Sequence, residues 1–340
     1  MEKEAVKSYL PSPTKGEPEE LLSSLSLQEA PQSRYQHSRR ELLNNKQGCC
    51  VHCGHTNYVK FGKDKGSQRY KCKSCKRSFT EYSGTWMAGL HHKDKIDAYL
   101  QLMLEEQSLD KLKVLLKINK KTAFDWRHKI LSSIEESDKS GFTGITESEE
   151  TFFLHSEKGK ENPGGKPGKR RGRASKKGIN EEHIAVIVTQ DRKNQMDLTV
   201  ATAGRLKKSN IEQALKGRLT PHTVLCTDSH VSYKGFAIDH QIEHHPLPSD
   251  LKQRVKDQLY HIQHVNFTHN RLKKWIETRF WGVSTKYLQQ YLNWFRIKEA
   301  LKASKQYLKD FMERSIQDIE AYQRYRSIPD RYELILATQK

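Results

Sequence analysis

The sequence has no long apolar run, few cysteines and a shortage of acidic residues. Hydrophobic residues make up 35% of the 340-residue chain, and the longest apolar run covers only Ile184 to Val188. A membrane-spanning helix needs roughly 18 consecutive apolar residues, so we expect no transmembrane segment. The first residues lack the basic-then-apolar order of a secretory signal, which favours a cytoplasmic, reducing location.

The charge is strongly one-sided. Lys and Arg number 60 against 41 Asp and Glu, which gives a formal net charge of +19 at pH 7. Such a field attracts polyanions, so nucleic acid is the partner that the composition favours, with an association to the nucleoid. At about 150 residues per domain, the length predicts two or more domains.

The composition changes along the chain and predicts five segments. Residues 1–46 are polar and Pro-containing without apolar periodicity, which predicts a disordered tail. Residues 47–82 hold four cysteines, and helical periodicity dominates residues 93–138. Runs of β-branched residues alternate with helical stretches over residues 143–300, which indicates an α/β domain, and residues 301–340 form a helical extension.

Four of the six cysteines form two knuckles. Cys50-Val-His-Cys53 and Cys72-Lys-Ser-Cys75 lie 18 residues apart, a spacing that lets four thiolates converge on one zinc ion. Such a closed site holds a small fold together and leaves no coordination position for catalysis. Cys49 competes with Cys50 as a ligand, but Cys50 gives the better spacing. The segment therefore predicts a zinc ribbon.

Residues 108–131 predict a helix-turn-helix. Ser108 and Asn119 are good N-caps for two short helices joined by a tight turn. The alternative is an ordinary helical hairpin with a solvated basic face, but the neighbouring ribbon and the net charge favour DNA binding. The residues predicted to face a major groove are Lys120, Lys121, Thr122, Asp125, Arg127 and Lys129.

Oxygen-bearing side chains recur at three places in the α/β segment. Glu147 and Glu149 share one face of a predicted strand, and Asp228 follows another strand at its carboxyl end. Carboxylate and amide oxygens on separate elements suit two magnesium ions that clamp a phosphoryl transfer. A later helix carries the remaining candidates on one polar face, namely Asn266, Asn270, Lys273 and Glu277.

The amino-acid sequence around these residues resembles that of a known family. Residues 260–275, residues 282–294, Glu150-Thr-Phe-Phe153 and Thr227-Asp-Ser-His230 are similar to bacterial insertion-sequence transposases that join a zinc ribbon and a helix-turn-helix to a DDE-type catalytic domain. The resemblance covers about residues 48–295. It implies a ribonuclease-H-like mixed sheet with flanking helices.

The resemblance also implies a catalytic set. In one branch of the family Asn replaces the third acid and a Lys follows seven residues later, which assigns Asp228, Asn266 and Lys273. The position of the first acid is Glu149, one methylene longer than the family's Asp. Mg²⁺ or Mn²⁺ would be the catalytic metal, and a ligand displaced by about 1 Å can cost on the order of 10²-fold in rate. Glu147 and Glu277 are alternative ligands outside the family pattern.

A basic loop within residues 158–177 completes the predicted DNA contacts. Its Lys, Arg, Gly and Pro content excludes a packed element and favours a phosphate-binding arm. The predicted DNA contacts of this arm are Lys169, Arg170, Arg171 and Arg173.

Together these features predict a DNA transposase. The ribbon and helix-turn-helix would recognise the element's ends, and the catalytic domain would cut double-stranded DNA and join it to a target, as a homo-oligomer on DNA. The alternative is a weakened or domesticated transposase that regulates by binding DNA, which Glu149 favours. A ribonuclease or repair nuclease would not need so elaborate an end-recognition module.

Overall fold

The computed structural model describes residues 34–135, 141–160, 174–248 and 255–337. Across these residues, no helix is both long and apolar enough to cross a membrane. The main elements are, in chain order, α1 (Arg34–Asn44), β1 (Tyr58–Asp64), β2 (Ser67–Cys72), β3 (Ser78–Thr80), α2 (Ile96–Leu104), α3 (Leu109–Leu115), α4 (Lys120–Ser133), β4 (Ile145–Leu154), β5 (His183–Asp191), β6 (Met196–Ala203), α5 (Lys208–Leu215), β7 (Val224–Thr227), α6 (Val231–Asp239), β8 (Glu243–Pro246), β9 (Val255–Lys256), β10 (Tyr260–His261), α7 (Gln263–Phe280), α8 (Leu288–Ala300), α9 (Tyr307–Gln317), α10 (Ala321–Arg326) and α11 (Ile328–Ala337).

Strands β1, β2 and β3 form an antiparallel sheet around the cysteines. One face of this sheet packs Tyr58, Tyr70 and Phe79 into a small core with Cys50 and Cys72. The Tyr58 and Phe79 rings meet edge to face at 5.4 Å between centroids. Because such a sheet buries little apolar area, the aromatic cluster and the cysteines together hold it.

Helix α1 corrects the prediction that residues 1–46 form a disordered tail. Residues 34–44 are helical, and Tyr35, Arg39 and Leu43 are buried. The Tyr35 hydroxyl donates to the Ser315 carbonyl at 3.1 Å, and Arg39 Nη1 donates to the Ile316 carbonyl at 3.0 Å. Since these partners lie about 280 residues away, local composition contains no sign of them.

Helices α3 and α4 have the predicted helix-turn-helix arrangement. The Ser108 hydroxyl accepts the Lys111 N–H at 3.2 Å, and Asn119 Oδ1 accepts the Lys121 N–H at 2.8 Å, so both predicted caps are present. Lys117 takes a left-handed conformation in the turn, with φ of +50°. Both helices therefore begin where the cap residues predicted.

A five-stranded mixed sheet organises the second half of the chain. The strand order is β6-β5-β4-β7-β8, with β4, β5 and β6 antiparallel and β7 and β8 parallel to β4. Alternate residues of β5 enter two cores. Val186 packs toward α7 and α8, whereas Ile187 packs toward α5 and α6. Helices thus cover both faces, which confirms the predicted α/β fold class.

The C-terminal helices pack against the helix-turn-helix. The Tyr325 hydroxyl of α10 donates to Asp125 Oδ1 at 3.2 Å, and Arg324 Nε donates to the Ser132 carbonyl at 3.2 Å. Lys129 Nζ lies 5.5 Å from the centroid of the Tyr325 ring. One side of α4 that periodicity predicted to face outward is therefore covered by α10.

Candidate active site and cysteine metal centre

The four predicted zinc ligands converge. Their sulfur atoms all lie within 4.8 Å of one another. The Sγ–Sγ distance is 3.7 Å between Cys50 and Cys75 and 3.6 Å between Cys53 and Cys72. A tetrahedral site with Zn–S bonds of about 2.3 Å has S–S edges of about 3.8 Å, so the cluster fits zinc. Cys49 lies outside this group, as predicted from the spacing.

One thiol of this cluster is prepared for ionisation. Backbone N–H groups, that of Cys75 above all, lower the pKa of Cys72 to about 6. A thiolate is the form that ligates metal. Burial raises the pKa of Cys50, so the thiols are not all alike. The Sγ–Sγ distances of 3.6 and 3.7 Å are those of ligands around one ion rather than of a disulfide bond of about 2.05 Å.

Strand β4 carries two acids toward α7, and their surroundings differ sharply. Glu147 is only 1% exposed, and its carboxylate accepts the N–H groups of His264 at 2.8 Å and Val265 at 3.1 Å. Arg192 Nη1 lies 2.9 Å from the same carboxylate. Glu147 thus caps the start of α7 and pairs with Arg192, and its carboxylate also lies within 4.8 Å of ligand atoms of His261 and His264, a group that could hold a metal ion.

Glu149 lies two residues further along the same face. In the parallel pair of β4 and β7, Glu147 is opposite Cys226, so the same register brings Glu149 level with Asp228. Burial and then the Asp228 charge raise the pKa of Glu149 to about 7. Its buried Oε2 makes no hydrogen bond within the described part of the chain. This carboxylate is held near another acid, while the Lys273 charge partly offsets the rise in its pKa.

Asp228 lies immediately after β7, at the carboxyl end of the strand. Its Oδ1 accepts the N–H of His230 at 3.1 Å, which fixes one oxygen at the start of α6. Burial and then Asp228 also raise the pKa of Glu150, which points to the other face of β4. The negative field of Asp228 therefore reaches both acids where the two strands meet.

Helix α7 supplies the remaining predicted residues. Burial lowers the pKa of Lys273 while the nearby Glu149 raises it, which places this lysine within electrostatic reach of the acid. Asn266 is exposed one turn before His269, whose Nδ1 lies 3.8 Å from Glu149 Oε2. The structure thus brings Glu149, Asp228 and Lys273 together and places Asn266 on the same helix.

Sequence reasoning missed three partners of these acids. Arg192 and His264 contact Glu147, and His269 lies against Glu149. Arg192 follows β5 and is 45 positions from Glu147 in the chain, so no local period links them. His269 had one available signal, because it lies three residues after Asn266 and four before Lys273 on a helix.

The predicted DNA contacts divide into exposed and buried residues. Lys120 and Lys121 are exposed at the start of α4, and Thr122 is half-buried there. Lys120 Nζ is paired with Asp110 at 2.8 Å. The predicted contacts of the basic arm lie outside the described residues, namely Lys169, Arg170, Arg171 and Arg173.

The assignment of Arg127 as a DNA contact is wrong. Its side chain is only 2% exposed, and Nη2 donates to the Gln107 carbonyl at 2.7 Å. The guanidinium also lies 5.6 Å from the Trp294 ring of α8. Helical periodicity predicted an outward position, but α8 packs on this side of α4 and buries it.

A known protein-family model matches the central part of the chain. Residues 141–299 match the ISXO2-like transposase domain, which confirms the predicted resemblance to insertion-sequence transposases. No curated protein matches this chain.

Solved structures show a weaker similarity. A pre-cleavage Mos1 transpososome is 14% identical with a TM-score of 0.27, covering 72% of this chain and 78% of that chain. A mariner Mos1 paired end complex with Mg is 15% identical with a TM-score of 0.26, covering 72% and 78%. The Mos1 strand transfer complex is 14% identical with a TM-score of 0.23, covering 72% and 77%. Scores this low carry no argument about this chain.

Proposed function

We propose that this chain, which contains an ISXO2-like transposase domain at residues 141–299, is a DNA transposase that binds element ends and catalyses metal-dependent strand cleavage and strand transfer. One observation carries the chemistry. Asp228 follows the end of β7, where the register of the parallel pair brings it level with Glu149 in the middle of β4, and a buried oxygen of Glu149 has no hydrogen-bond partner among the described residues. Unpaired buried carboxylates are costly unless a ligand compensates them.

The donor set fits a hard divalent cation. Glu149, Asp228 and Asn266 would hold Mg²⁺ or Mn²⁺, for which carboxylate and amide oxygens are suitable ligands. When bound, the metal supplies stabilisation of negative charge on the attacking and leaving oxygens of a phosphodiester. The raised pKa of Glu149 agrees with a site built for a positive charge, since burial beside Asp228 disfavours the bare carboxylate.

The chain's own groups would position the reactants. Asp228 is oriented by the N–H of His230, so one carboxylate oxygen stays in place while the other is available. Lys273 lies within the field of Glu149 at the exposed surface of α7, where its ammonium would grip a DNA phosphate. Water, and then a DNA 3′-hydroxyl, would attack the phosphodiester held between these groups, with the departing 3′-oxygen as the leaving group of each step.

Element ends would be bound through the helix-turn-helix. Lys120, Lys121 and Thr122 lie at the start of α4, the part of a recognition helix that normally reaches base edges. The arm at residues 169–173 would add contacts to phosphates that are independent of sequence. Because joining requires two ends and a target at one place, we propose that a homo-oligomer forms on DNA.

A cleavage assay tests the proposal. The substrate is a duplex carrying the inverted repeats that bracket the coding sequence, and the proteins are wild type, Asp228→Ala and Glu149→Asp. We expect Asp228→Ala to reduce strand cleavage by about three orders of magnitude and to keep end binding, because a catalytic metal supplies several kcal/mol of transition-state stabilisation. Cleavage by Asp228→Ala at the wild-type rate would remove this site from the chemistry.

Glu149→Asp tests the longer first acid. Restoring the shorter side chain should raise magnesium-dependent cleavage by up to about 10²-fold, the effect of about 1 Å in a catalytic array. Wild-type protein should also cut better in manganese than in magnesium. If no variant cuts in either metal while end binding persists, the chain is a DNA-binding regulator, the alternative that Glu149 favours.

A further inference from the structure

The hairpin of β1 and β2 has one covered face and one open face. Tyr58 and Tyr70 point into the core beside the cysteines, whereas every residue of β1 after Tyr58 is exposed. On the open face, Val59 is 41% exposed and Phe61 is 45% exposed. Two large apolar side chains on a small, highly charged sheet are an unusual use of surface.

Cations from the neighbouring strand surround the exposed ring. Val59 pairs with Lys71 across the two strands, so both lie on the open face. The Arg69 guanidinium carbon is 5.3 Å from the centroid of Phe61, and Lys71 Nζ is 5.0 Å from it. The ring is therefore held between two charges that remain at the surface.

A bulge gives the hairpin its shape. The pairing register shifts between Lys60 and Lys63, and Gly62 within this interval has φ of +69°. Such a bulge bends a strand and increases its twist. Here it directs Phe61 toward Arg69 and Lys71 and leaves the tip, at residues 63–67, exposed or half-exposed.

The hairpin is more strongly basic than the chain as a whole. A single acid, Asp64, lies within the hairpin from Tyr58 to Cys72. The seven residues of β1 extend over about 23 Å, long enough to follow a groove of DNA for several base pairs. The basic residues of the hairpin are Lys60, Lys63, Lys65, Arg69 and Lys71.

We propose that the open face of the β1–β2 hairpin enters the major groove of duplex DNA as a two-stranded ribbon. Val59 and Phe61 would contact the apolar edges of bases such as the thymine methyl, and Arg69 and Lys71 would contact base edges or phosphates. The major groove admits a two-stranded ribbon by width. The inference rests on the proposed function for the presence of DNA and adds the surface that reads it.

Much of α4 is covered by other helices, so the open face of the hairpin has a larger share in the proposed DNA contact. Arg127 is buried and Lys129 lies against Tyr322 and Tyr325, so α4 offers mainly its first turn to a groove. The hairpin presents apolar and cationic side chains together over its whole length. A protein partner fits less well, because two apolar side chains provide little area for a dry interface, whereas the cations complement a polyanion.

Full-length variants test the proposal. The probes are an end duplex of about 30 base pairs, roughly three helical turns, a scrambled duplex and the corresponding single strand. Phe61→Ala should weaken binding to the end duplex by about tenfold, the effect of one good base contact, with little change for the scrambled duplex. Arg69→Ala with Lys71→Ala should reduce the slope of log affinity against log salt by about 2.

A matched control removes two exposed lysines elsewhere. Lys302→Ala with Lys305→Ala, between α8 and α9, should leave both the end preference and the salt slope unchanged. Zinc content, measured for every variant, shows that the ribbon is intact, and the exposed Phe61 has little role in its core. A Phe61→Ala protein with wild-type preference for the end, together with an unchanged slope in the double variant, would overturn the proposal.

Two other results separate this inference from the proposed function. Stronger wild-type binding to the single strand, lost in Phe61→Ala, would replace groove binding by base stacking and so overturn the duplex proposal. Wild-type protein that binds none of the probes would overturn the proposed function together with the inference. End binding and cleavage that survive in both hairpin variants would overturn only the hairpin's role.

Discussion

The cysteine cluster and the proposed acidic metal site are built in opposite ways. All four thiols come from two knuckles within one small sheet, and they lie 3.6–3.7 Å apart in pairs. Glu149, Asp228 and Asn266 come from two strands and a helix, and a buried oxygen of Glu149 lacks a partner within the described residues. The four thiols already lie at the distances that a tetrahedral zinc site requires, whereas the acidic residues leave a negative charge to be compensated.

This difference follows from the role that each metal would have. A closed site of four thiolates contributes folding energy and needs no access for substrate. A site that acts on DNA must instead keep ligands that are incompletely paired until the metal and the substrate arrive, and it pays for this in stability. The two regions should therefore respond oppositely to removal of a ligand, the first by losing its fold and the second by losing its activity.

The largest expected effect is on the cysteine cluster. Cys72→Ser should reduce bound zinc from one ion per chain to none and unfold residues 47–82, because structural zinc contributes on the order of 10 kcal/mol to such folds. Metal analysis by mass spectrometry and proteolysis of the segment measure both effects. Cys49→Ser is the matched control, since Cys49 adjoins the cluster without belonging to it. Zinc that persists in Cys72→Ser would contradict the assignment.

The same contrast explains how much the sequence predicted. The knuckles, the caps Ser108 and Asn119, and the strand at residues 184–188 are local patterns, and local spacing determines where their side chains point. Glu149, Asp228 and Lys273, which the resemblance assigned to one site, lie within electrostatic reach of one another. Local patterns and the family resemblance were therefore sufficient to predict the α/β class and to propose most residues of the candidate site.

Long-range packing was not accessible in this way. The burial of Arg127 depends on α8, and the covered side of α4 depends on α10, about 200 residues later in the chain. Helix α1 is ordered by carbonyls near residue 315. Arg192, which pairs with Glu147, lies 45 positions further along the chain. In each case a distant segment decides which of two reasonable local interpretations is correct.

Glu147 and Glu149 allow the comparison to be sharpened within one strand. Glu147→Gln leaves Arg192 without its buried counter-charge and weakens the cap on α7, so we expect a loss of about 3 kcal/mol in the free energy of unfolding. Glu149→Gln removes a carboxylate whose contact with His269 Nδ1 is longer, at 3.8 Å, and whose Oε2 makes no hydrogen bond within the described residues, so stability should change by less than about 1 kcal/mol. Urea denaturation without added magnesium measures both.

Glu149→Gln should affect DNA cleavage much more strongly than it affects stability. Glu149→Gln removes a charged ligand oxygen, so we expect cleavage to fall by more than about 10²-fold although the protein remains stable. If Glu149→Gln were the more destabilising of the two variants, Glu149 would be a structural acid and the assignment of the metal site to this face of β4 would be wrong.

The smallest expected effect tests whether an unpaired buried group by itself marks a site. Both ring nitrogens of His128 are buried without a hydrogen-bond partner among the described residues. The ring stacks on Tyr287 at 4.1 Å and lies 4.4 Å from Phe124, so its surroundings are aromatic rather than acidic. We therefore infer that His128 is a packing residue between α4 and α8, unlike Glu149.

This inference predicts a specific pH dependence. Burial, and secondly the Arg127 charge, lower the pKa of His128 well below its ordinary value of 6.5, so the folded protein keeps the ring neutral. The unfolded chain binds a proton below pH 6.5, and stability is consequently lost as the pH falls below that value. From pH 6.5 to 5.5 wild type should lose about 1 kcal/mol more than His128→Phe. Two results would contradict this inference: equal losses of stability in the two proteins, or loss of cleavage in His128→Phe at pH 8 with the fold intact. Either would show that this unpaired group has a function. The absence of acids around a buried group would then no longer distinguish a packing residue from a catalytic one.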